Sequence, residues 1–142
     1  MKPSSFTGKE WPKCSFFAIY DGHGGALCAD FLRDNLHQYI IKDINFLINP
    51  SEAIRKGCEL IEKDFISLHA LNKNQEIIDR SGSCATIALM IEDMCYIANV
   101  GDSRAVMSTQ GGKKVIALTN DHKPNDENET KRIIENGGKV YQ

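Results

Sequence analysis

The chain has 142 residues, of which 42% are hydrophobic and 25% charged, and this is the size and composition of one soluble globular domain. Its formal net charge of -2 gives no electrostatic basis for binding nucleic acid or an anionic membrane, so neither partner is expected.

The first half of the chain predicts one strand followed by two helices. Residues 1–13 are polar and predicted to be loose, and the apolar run 14–20 has the length of a strand. Apolar residues then recur with helical spacing at positions 28, 31, 32, 36, 39 and 40. The sequence Asn49-Pro50-Ser51-Glu52 begins a second helix, with Asn49 as the N-cap.

The second half predicts antiparallel strands and a last helix. The β-rich runs 84–91 and 94–100 flank a hairpin turn at Glu92-Asp93, and a second pair spans 105–108 and 115–119. After Pro124, acidic residues precede basic ones, which is the order that a helix dipole favours. Helices and strands segregated in this way indicate an α+β fold with helices packed on sheets.

Five cysteines occur without a Cys-x-x-Cys pair: Cys14, Cys28, Cys58, Cys84 and Cys95. An odd number without close spacing argues against a disulfide framework and against a zinc site. We therefore predict buried free thiols in a reducing compartment. No apolar segment is long enough to span a bilayer and no signal-peptide core is visible, so a cytoplasmic or nuclear location is expected.

The segment Asp21-Gly22-His23-Gly24-Gly25 directly follows the first predicted strand. Glycines let the backbone turn sharply and approach a ligand closely, because they have no Cβ atom. Mg²⁺ and Mn²⁺ prefer carboxylate and carbonyl oxygens, which Asp21 and Gly22 can supply. The alternative is a glycine-rich turn in which Asp21 merely caps the next helix.

A second acid, Asp102, follows the apolar strand that ends at Val100-Gly101. Two aspartates at the ends of neighbouring strands can converge on one group of metal ions. The alternative is an ordinary turn in which Asp102 and Arg104 form a surface ion pair.

Five segments in fixed order carry a family resemblance: 17–25, 81–86, 98–105, 119–124 and the stretch from Glu129 to Val140. Together they resemble the metal-dependent serine/threonine protein phosphatases of the 2C type. The resemblance implies a four-layer α-β-β-α sandwich, of which residues 14–142 would form an incomplete, N-terminal version. It also implies hydrolysis of phosphoserine and phosphothreonine in protein substrates.

The resemblance assigns a role to each site residue. Asp21 would bridge two catalytic ions, Mg²⁺ or Mn²⁺, and the carbonyl of Gly22 would bind one of them. His23 would be the general acid that protonates the leaving seryl or threonyl oxygen. Asp102 would bind a third, weaker ion, and no substrate-binding residue is assigned.

Other residues depart from the family or carry no predicted role. Cys84 stands where the family usually has threonine, at a position predicted to be buried. His37 and His69 are predicted to lie exposed or capped on helices, and His122 is predicted to be structural.

The sequence lacks several metal ligands and a phosphate contact that the resemblance leads one to expect. The family's arginine and Glu-Asp pair have no counterpart in residues 1–13, and its two later aspartates are absent. Because metal affinity grows with the number of charged ligands, we expect an incomplete catalytic domain with little activity of its own. The alternative is a non-catalytic binding or regulatory module, a pseudophosphatase.

Overall fold

The computed structural model describes residues 11–141. Its helices and strands in chain order are β1 (Cys14–His23), α1 (Leu27–Lys42), α2 (Pro50–Phe65), β2 (Gly82–Ile91), β3 (Met94–Val100), β4 (Val106–Thr109), β5 (Lys114–Ala117) and α3 (Glu127–Glu135). A π-helical turn, Ile66–Ala70, extends α2, and a 3-10 turn, Gln110–Gly112, joins β4 to β5. This content confirms the predicted α+β fold. None of the helices described is long and apolar enough to cross a bilayer.

β1, β2 and β3 form an antiparallel sheet with β2 in the centre. The hairpin between β2 and β3 turns at Glu92-Asp93, as predicted. At the opposite end of the sheet, Asp21 of β1 lies across from Cys84 of β2. Because β3 ends at Val100 beside the same part of β2, residues following β3 emerge close to Asp21.

The core lies between this sheet and the two long helices. Ala85, Ile87 and Leu89 alternate along β2 and are all buried, so one face of the sheet is covered. Ile87 and Leu89 pack in one cluster with Leu36 of α1 and Ile61 of α2. The apolar spacing that predicted the first helix therefore marks the side of α1 that faces the core.

The other face of the sheet is open in the described part of the chain. Phe17 and Ile19 of β1 are 61% and 70% exposed there, and Met90 of β2 is also exposed. The three-stranded sheet with α1 and α2 on one face thus forms one helical layer on one sheet, which is part of the predicted four-layer sandwich.

A local signal fixes the start of α2, whereas a distant residue supports the start of α1. The Asn49 side chain accepts the backbone N–H of Glu52 at 3.2 Å, as predicted. α1 follows Ala26, which makes no side-chain capping bond. Instead, the hydroxyl oxygen of Ser81 accepts the N–H of Cys28 at 3.1 Å. The loop before β2 therefore holds the first turn of α1.

The second strand pair and the last helix also follow the prediction. β4 and β5 form a separate two-stranded ribbon, in which Val106 lies opposite Ala117. α3 begins after Asp126, whose carboxylate accepts two backbone N–H groups of the first turn. The backbone turns at Gly137, which has φ of 80°.

Two predictions need correction. β1 does not stop at residue 20, because residues 21–23 remain paired with residues 82–84 of β2. The five cysteines are free, as predicted, but none is fully buried and Cys95 is exposed. Cys84 and Cys95 alternate with core-facing residues, and strand periodicity therefore places them on the open face of the sheet.

Of the segment predicted to be loose, residues 1–10 lie outside the described residues. The ring of Trp11 stacks on Phe46 with centroids 5.8 Å apart. The N–H of Lys13 donates to the Glu92 carboxylate at 2.7 Å, and the N–H of Glu92 donates to the Lys13 carbonyl at 2.9 Å. Residues 11–13 are thereby joined to the loop before α2 and to the β2–β3 hairpin.

Candidate functional site

The ends of β1 and β3 meet around the side chain of Cys84. Asp21 lies directly across from Cys84, and the Cβ atoms of such cross-strand pairs are about 4.5–5.5 Å apart on the same face. The Cys84 thiol donates to Oδ1 of Asp102, with 3.3 Å between sulfur and oxygen. One thiol therefore has the two aspartates of the sequence motifs as neighbours.

Both carboxylates are available to a cation. Among residues 11–141, the Asp21 side chain makes no hydrogen bond or ion pair, and the Asp102 side chain bonds only to the Cys84 thiol. A thiol is a weak donor, so it leaves most of the lone pairs of Asp102 free.

The structure excludes both simpler interpretations of the two aspartates. Asp21 does not cap α1, because the N-cap residue is Ala26 and Asp21 is still paired within the sheet. Arg104 does not pair with Asp102, because its guanidinium forks onto Asp121 with N–O distances of 2.9 and 3.0 Å.

His23 is placed over Gly82 at the end of the β1–β2 pair. A Cβ atom added to Gly82 would lie 2.4 Å from Nε2 of His23 and 2.9 Å from its Cε1. The imidazole therefore occupies the space that a side chain at position 82 would need. Within the described residues the His23 ring makes no hydrogen bond, which leaves both nitrogens free for proton exchange.

The glycines of the first motif accommodate protein neighbours. A Cβ atom on Gly22 would come within 3.1 Å of the Ala29 side chain of α1. Gly24 has φ of 67°, and a Cβ atom there would lie 2.8 Å from the Arg80 carbonyl oxygen. The sharp turn is thus as predicted, but the close approach is to α1 and to the loop before β2.

A family model described as Protein phosphatase 2C matches residues 3–142. The chain belongs to the protein phosphatase 2C family. It is 39% identical over 126 residues to a probable protein phosphatase 2C 52 of Oryza sativa subsp. japonica. It is 41% identical over 131 residues to a probable protein phosphatase 2C of Caenorhabditis elegans. These matches cover 89% and 91% of this chain, but only 24% and 35% of the two relatives.

Solved structures show the same architecture. The serine-threonine phosphatase 2C from Toxoplasma gondii matches with a TM-score of 0.72 and 21% identity, over 95% of this chain and 48% of that one. A C. elegans sex determining protein matches with a TM-score of 0.68 and 27% identity, over 91% of this chain and 31% of that one. The fold described above is therefore that of part of a 2C-type phosphatase.

In this 2C-family chain, the segment 119–123 supports the turn that carries Asp102; we name it the brace. His122 of the brace exchanges two hydrogen bonds with Gly101. Asn99 donates to the carbonyls of Gly101 and Asn120 at 3.0 and 3.1 Å. Sequence reasoning missed this arrangement, although an asparagine inside an otherwise apolar strand signals a polar side chain that needs partners.

The ion pair between Arg104 and Asp121 ties the other side of the same turn to the brace. The hydrogen bonds and charge of Arg104 hold the pKa of Asp121 below its ordinary value, with a smaller contribution from Lys123. Arg104 is 59% exposed, whereas Asp121 is 14% exposed. The pair therefore orders the chain around the site but contributes modestly to stability.

The donor set fits an oxygen-preferring cation but is sparse. Asp21 and Asp102 supply carboxylate oxygens, which are the ligands that Mg²⁺ and Mn²⁺ favour. Within residues 11–141, no group of three or more His, Cys, Asp or Glu side chains is placed to hold a metal ion. The 2C-family chain thus has oxygen donors suited to such ions, with few charged ligands for each of them.

The remaining histidines are separate from this site. His37 lies on the exposed side of α1, and the ring of His69 packs on Phe31 with centroids 5.0 Å apart. A cavity of 1010 Å³ lies on the helix-covered side of the sheet and is lined by residues of α1, α2, β2 and β3. His23 reaches its lining but Asp21 and Asp102 do not, so the acids of this phosphatase-like site lie outside the cavity.

Proposed function

We propose that this chain provides part of the catalytic site of a protein phosphatase that hydrolyses phosphoserine and phosphothreonine monoesters. The observation that carries the proposal is the meeting of Asp21 and Asp102 around Cys84, with His23 two residues beyond Asp21. Membership of the protein phosphatase 2C family supports it. Phosphorylated proteins are the proposed substrates.

Asp21 and the carbonyl of Gly22 would hold two Mg²⁺ or Mn²⁺ ions, and Asp102 would hold a third, weaker one. When bound, such ions neutralise phosphoryl oxygens and activate water for in-line displacement. The chain's own contribution is the placement of its carboxylates close together. The β1–β2 register fixes the backbone position of Asp21, and the β2–β3 register brings the end of β3, just before Asp102, to the same part of β2.

His23 would donate a proton to the departing seryl or threonyl oxygen. Histidine is the side chain that most often exchanges protons near neutral pH, and positioned acids contribute about 10²–10⁴-fold to rates. The glycine at position 82 leaves room for the imidazole, and no protein group in the described range competes for its protons.

The sparse ligand set predicts weak metal binding and slow turnover by these 142 residues. A phosphopeptide assay with millimolar Mn²⁺ tests the proposal. We expect low but measurable phosphate release, which His23→Ala reduces by about 10²-fold or more. His37→Ala, on the exposed side of α1, is the matched control and should leave the rate unchanged. Release that does not depend on His23 would overturn the proposed role.

A second candidate function is a non-catalytic binding or regulatory module. The absence of a group of three metal-binding side chains among residues 11–141 favours it. Such a module would bind the phosphopeptide without releasing phosphate, whatever the Mn²⁺ concentration. The cytoplasmic or nuclear location remains a prediction from the sequence.

A further inference from the structure

The backbone of Gly101 is held on both sides by one histidine of the brace. The Gly101 N–H donates to Nδ1 of His122 at 3.3 Å. The His122 N–H donates in turn to the Gly101 carbonyl at 2.9 Å. These bonds fix the two peptide units that flank the Gly101 Cα atom, and the second unit contains the backbone nitrogen of Asp102.

We call these two hydrogen bonds between Gly101 and His122 the clamp. The clamp acts on a backbone that would otherwise be free to rotate. Gly101 has φ of 99°, a region that only glycine enters easily and in which it has many alternatives. A rotation about Gly101 would swing the whole Asp102 residue, and the two hydrogen bonds that Gly101 and His122 exchange oppose such a rotation.

Two further contacts connect the clamp to the rest of the protein. Asn99 donates to the Gly101 carbonyl, and its Oδ1 accepts the Thr86 hydroxyl of β2 at 2.7 Å. On the far side of Asp102, Arg104 forks onto Asp121, the residue directly before His122. The Asp102 turn is thus tied to the brace at both ends and to the central strand of the sheet.

We infer that His122 is a positioning residue for Asp102. The inference rests on the proposed function, because it assigns Asp102 the task of holding a cation. A ligand held in place by its supporting hydrogen bonds loses less freedom when it binds an ion, and removing such support typically lowers metal affinity by about 10–100-fold. His122 would act through the Gly101 backbone and would not touch substrate or metal.

The chemistry of the imidazole gives a set of matched variants. Nδ1 accepts a hydrogen bond, so the ring carries its proton on Nε2 when neutral. In His122→Asn the side-chain oxygen can take the position of Nδ1, and in His122→Gln the polar group lies further out, near Nε2. His122→Ala removes the acceptor altogether. The backbone bond from the N–H of residue 122 is available in all three variants.

The test uses the 142-residue chain, labelled with ¹⁵N, in a Mg²⁺ titration at about pH 8, where histidine side chains are ordinarily neutral. Amide chemical shifts of Ser103 report on Asp102, and those of Gly22 report on Asp21. We expect His122→Ala and His122→Gln to weaken the Mg²⁺ response at Ser103 by about 10-fold, and His122→Asn to restore it. The Gly22 response should change by less than about 2-fold, since among residues 11–141 no hydrogen bond or ion pair joins His122 to β1.

Hydrogen exchange of the Gly101 amide supplies a readout that needs no metal. Loss of the imidazole acceptor should speed this exchange by about 10-fold in the Ala and Gln variants but not in the Asn variant. Suppose that the Ala and Gln variants fold and keep the wild-type rate of amide exchange at Gly101 and the wild-type Mg²⁺ response at Ser103. This result would overturn the inference about His122 and leave the proposed function standing. Should His122→Ala fail to fold, the Gln and Asn pair decides. A wild-type chain without any Mg²⁺ response at Ser103 and Gly22 would overturn the metal site of the proposed function, and this inference with it.

Discussion

The sulfur of Cys84 lies 3.3 Å from Oδ1 of Asp102, and the same residue faces Asp21 across the β1–β2 pair. This position of the thiol leaves little room beside it. A Cβ atom on Gly101 would lie 2.3 Å from the Cys84 sulfur. The approach of β2 to the Asp102 turn therefore depends on a glycine at position 101.

Gly101→Ala is expected to be strongly destabilising. The new methyl group overlaps Cys84, and φ of 99° is unfavourable for alanine, so we expect a loss of about 2–4 kcal/mol in the free energy of unfolding. Gly111→Ala is the control, because its φ of 65° is also positive but nothing lies within 4 Å. It should cost about 1 kcal/mol in urea or thermal unfolding.

A double mutant separates the steric overlap with Cys84 from the backbone strain at position 101. Cys84→Ala removes the sulfur, so it should recover part of the loss caused by Gly101→Ala, giving a coupling energy of about 1 kcal/mol or more. Additive effects of the two substitutions would show that the close approach of Cys84 is not the cause.

Gly82→Ala should reduce phosphatase activity more than stability. Its Cβ atom would overlap the His23 ring, which is the movable end of an exposed side chain. We expect the phosphopeptide rate to fall toward that of His23→Ala, by about 10²-fold, with a small change in melting temperature. Ser83→Ala, one residue along β2, adds no Cβ atom and serves as the control. A wild-type rate for Gly82→Ala would contradict the placement of His23 over Gly82.

Local chemistry made several elements predictable. The start of α2 was predictable because the side chain of Asn49 accepts the N–H of Glu52, and both residues lie in one short motif. The β2–β3 hairpin follows from strand periodicity on either side of a polar two-residue turn. The position of Asp102 just beyond a strand was predictable for the same reason, since it follows an apolar run, whereas the predicted end of β1 before Asp21 was wrong because residues 21–23 stay paired with β2.

Contacts between distant parts of the chain were not predictable in this way. Ser81 supports the start of α1 through Cys28, which lies 53 residues earlier in the chain. Arg104 forms its ion pair with Asp121 and not with the nearby Asp102. The clamp between His122 and Gly101 likewise depends on how the β4–β5 ribbon returns the chain to the sheet. A single sequence shows the residue types that form these bonds, but it does not show how the chain folds to bring those residues into contact.

The buried centre of the sheet should dominate the stability of the described fold. Ile87 is 1% exposed and packs in the core cluster, so Ile87→Ala should cost about 2–5 kcal/mol in the free energy of unfolding. Ile19, on the open face of β1, is 70% exposed, and Ile19→Ala should cost less than about 1 kcal/mol. Equal losses in denaturant unfolding would show that the face bearing Ile19 is covered in solution.

Acid should weaken the ion pair that joins the brace to the turn carrying Asp102. Arg104 lowers the pKa of Asp121 in the folded protein, so the ionised carboxylate favours folding. This contribution is complete above the unfolded carboxyl pKa of about 3.9 and disappears as the pH falls through the lower folded value. Asp121→Asn should therefore lower the melting temperature near neutral pH and match wild type in strong acid.

Asp93→Asn is the control for this pH series. The Asp93 carboxylate lies in the β2–β3 turn and has no partner among residues 11–141. Its melting temperature near neutral pH should match that of wild type, because Asp93→Asn removes no ion pair. A difference between Asp121→Asn and wild type that grows toward low pH would contradict the role of the ion pair.

The convergence of Asp21 and Asp102 on one group of divalent ions is tested most directly by a crystal structure grown with Mn²⁺ and measured for anomalous scattering. We predict anomalous peaks within about 2.3 Å of carboxylate oxygens of both Asp21 and Asp102, on either side of Cys84. Asp21→Asn should abolish the peak beside residue 21. Manganese bound elsewhere, with both carboxylates bare at the same Mn²⁺ concentration, would contradict the assignment of this strand end as a metal site.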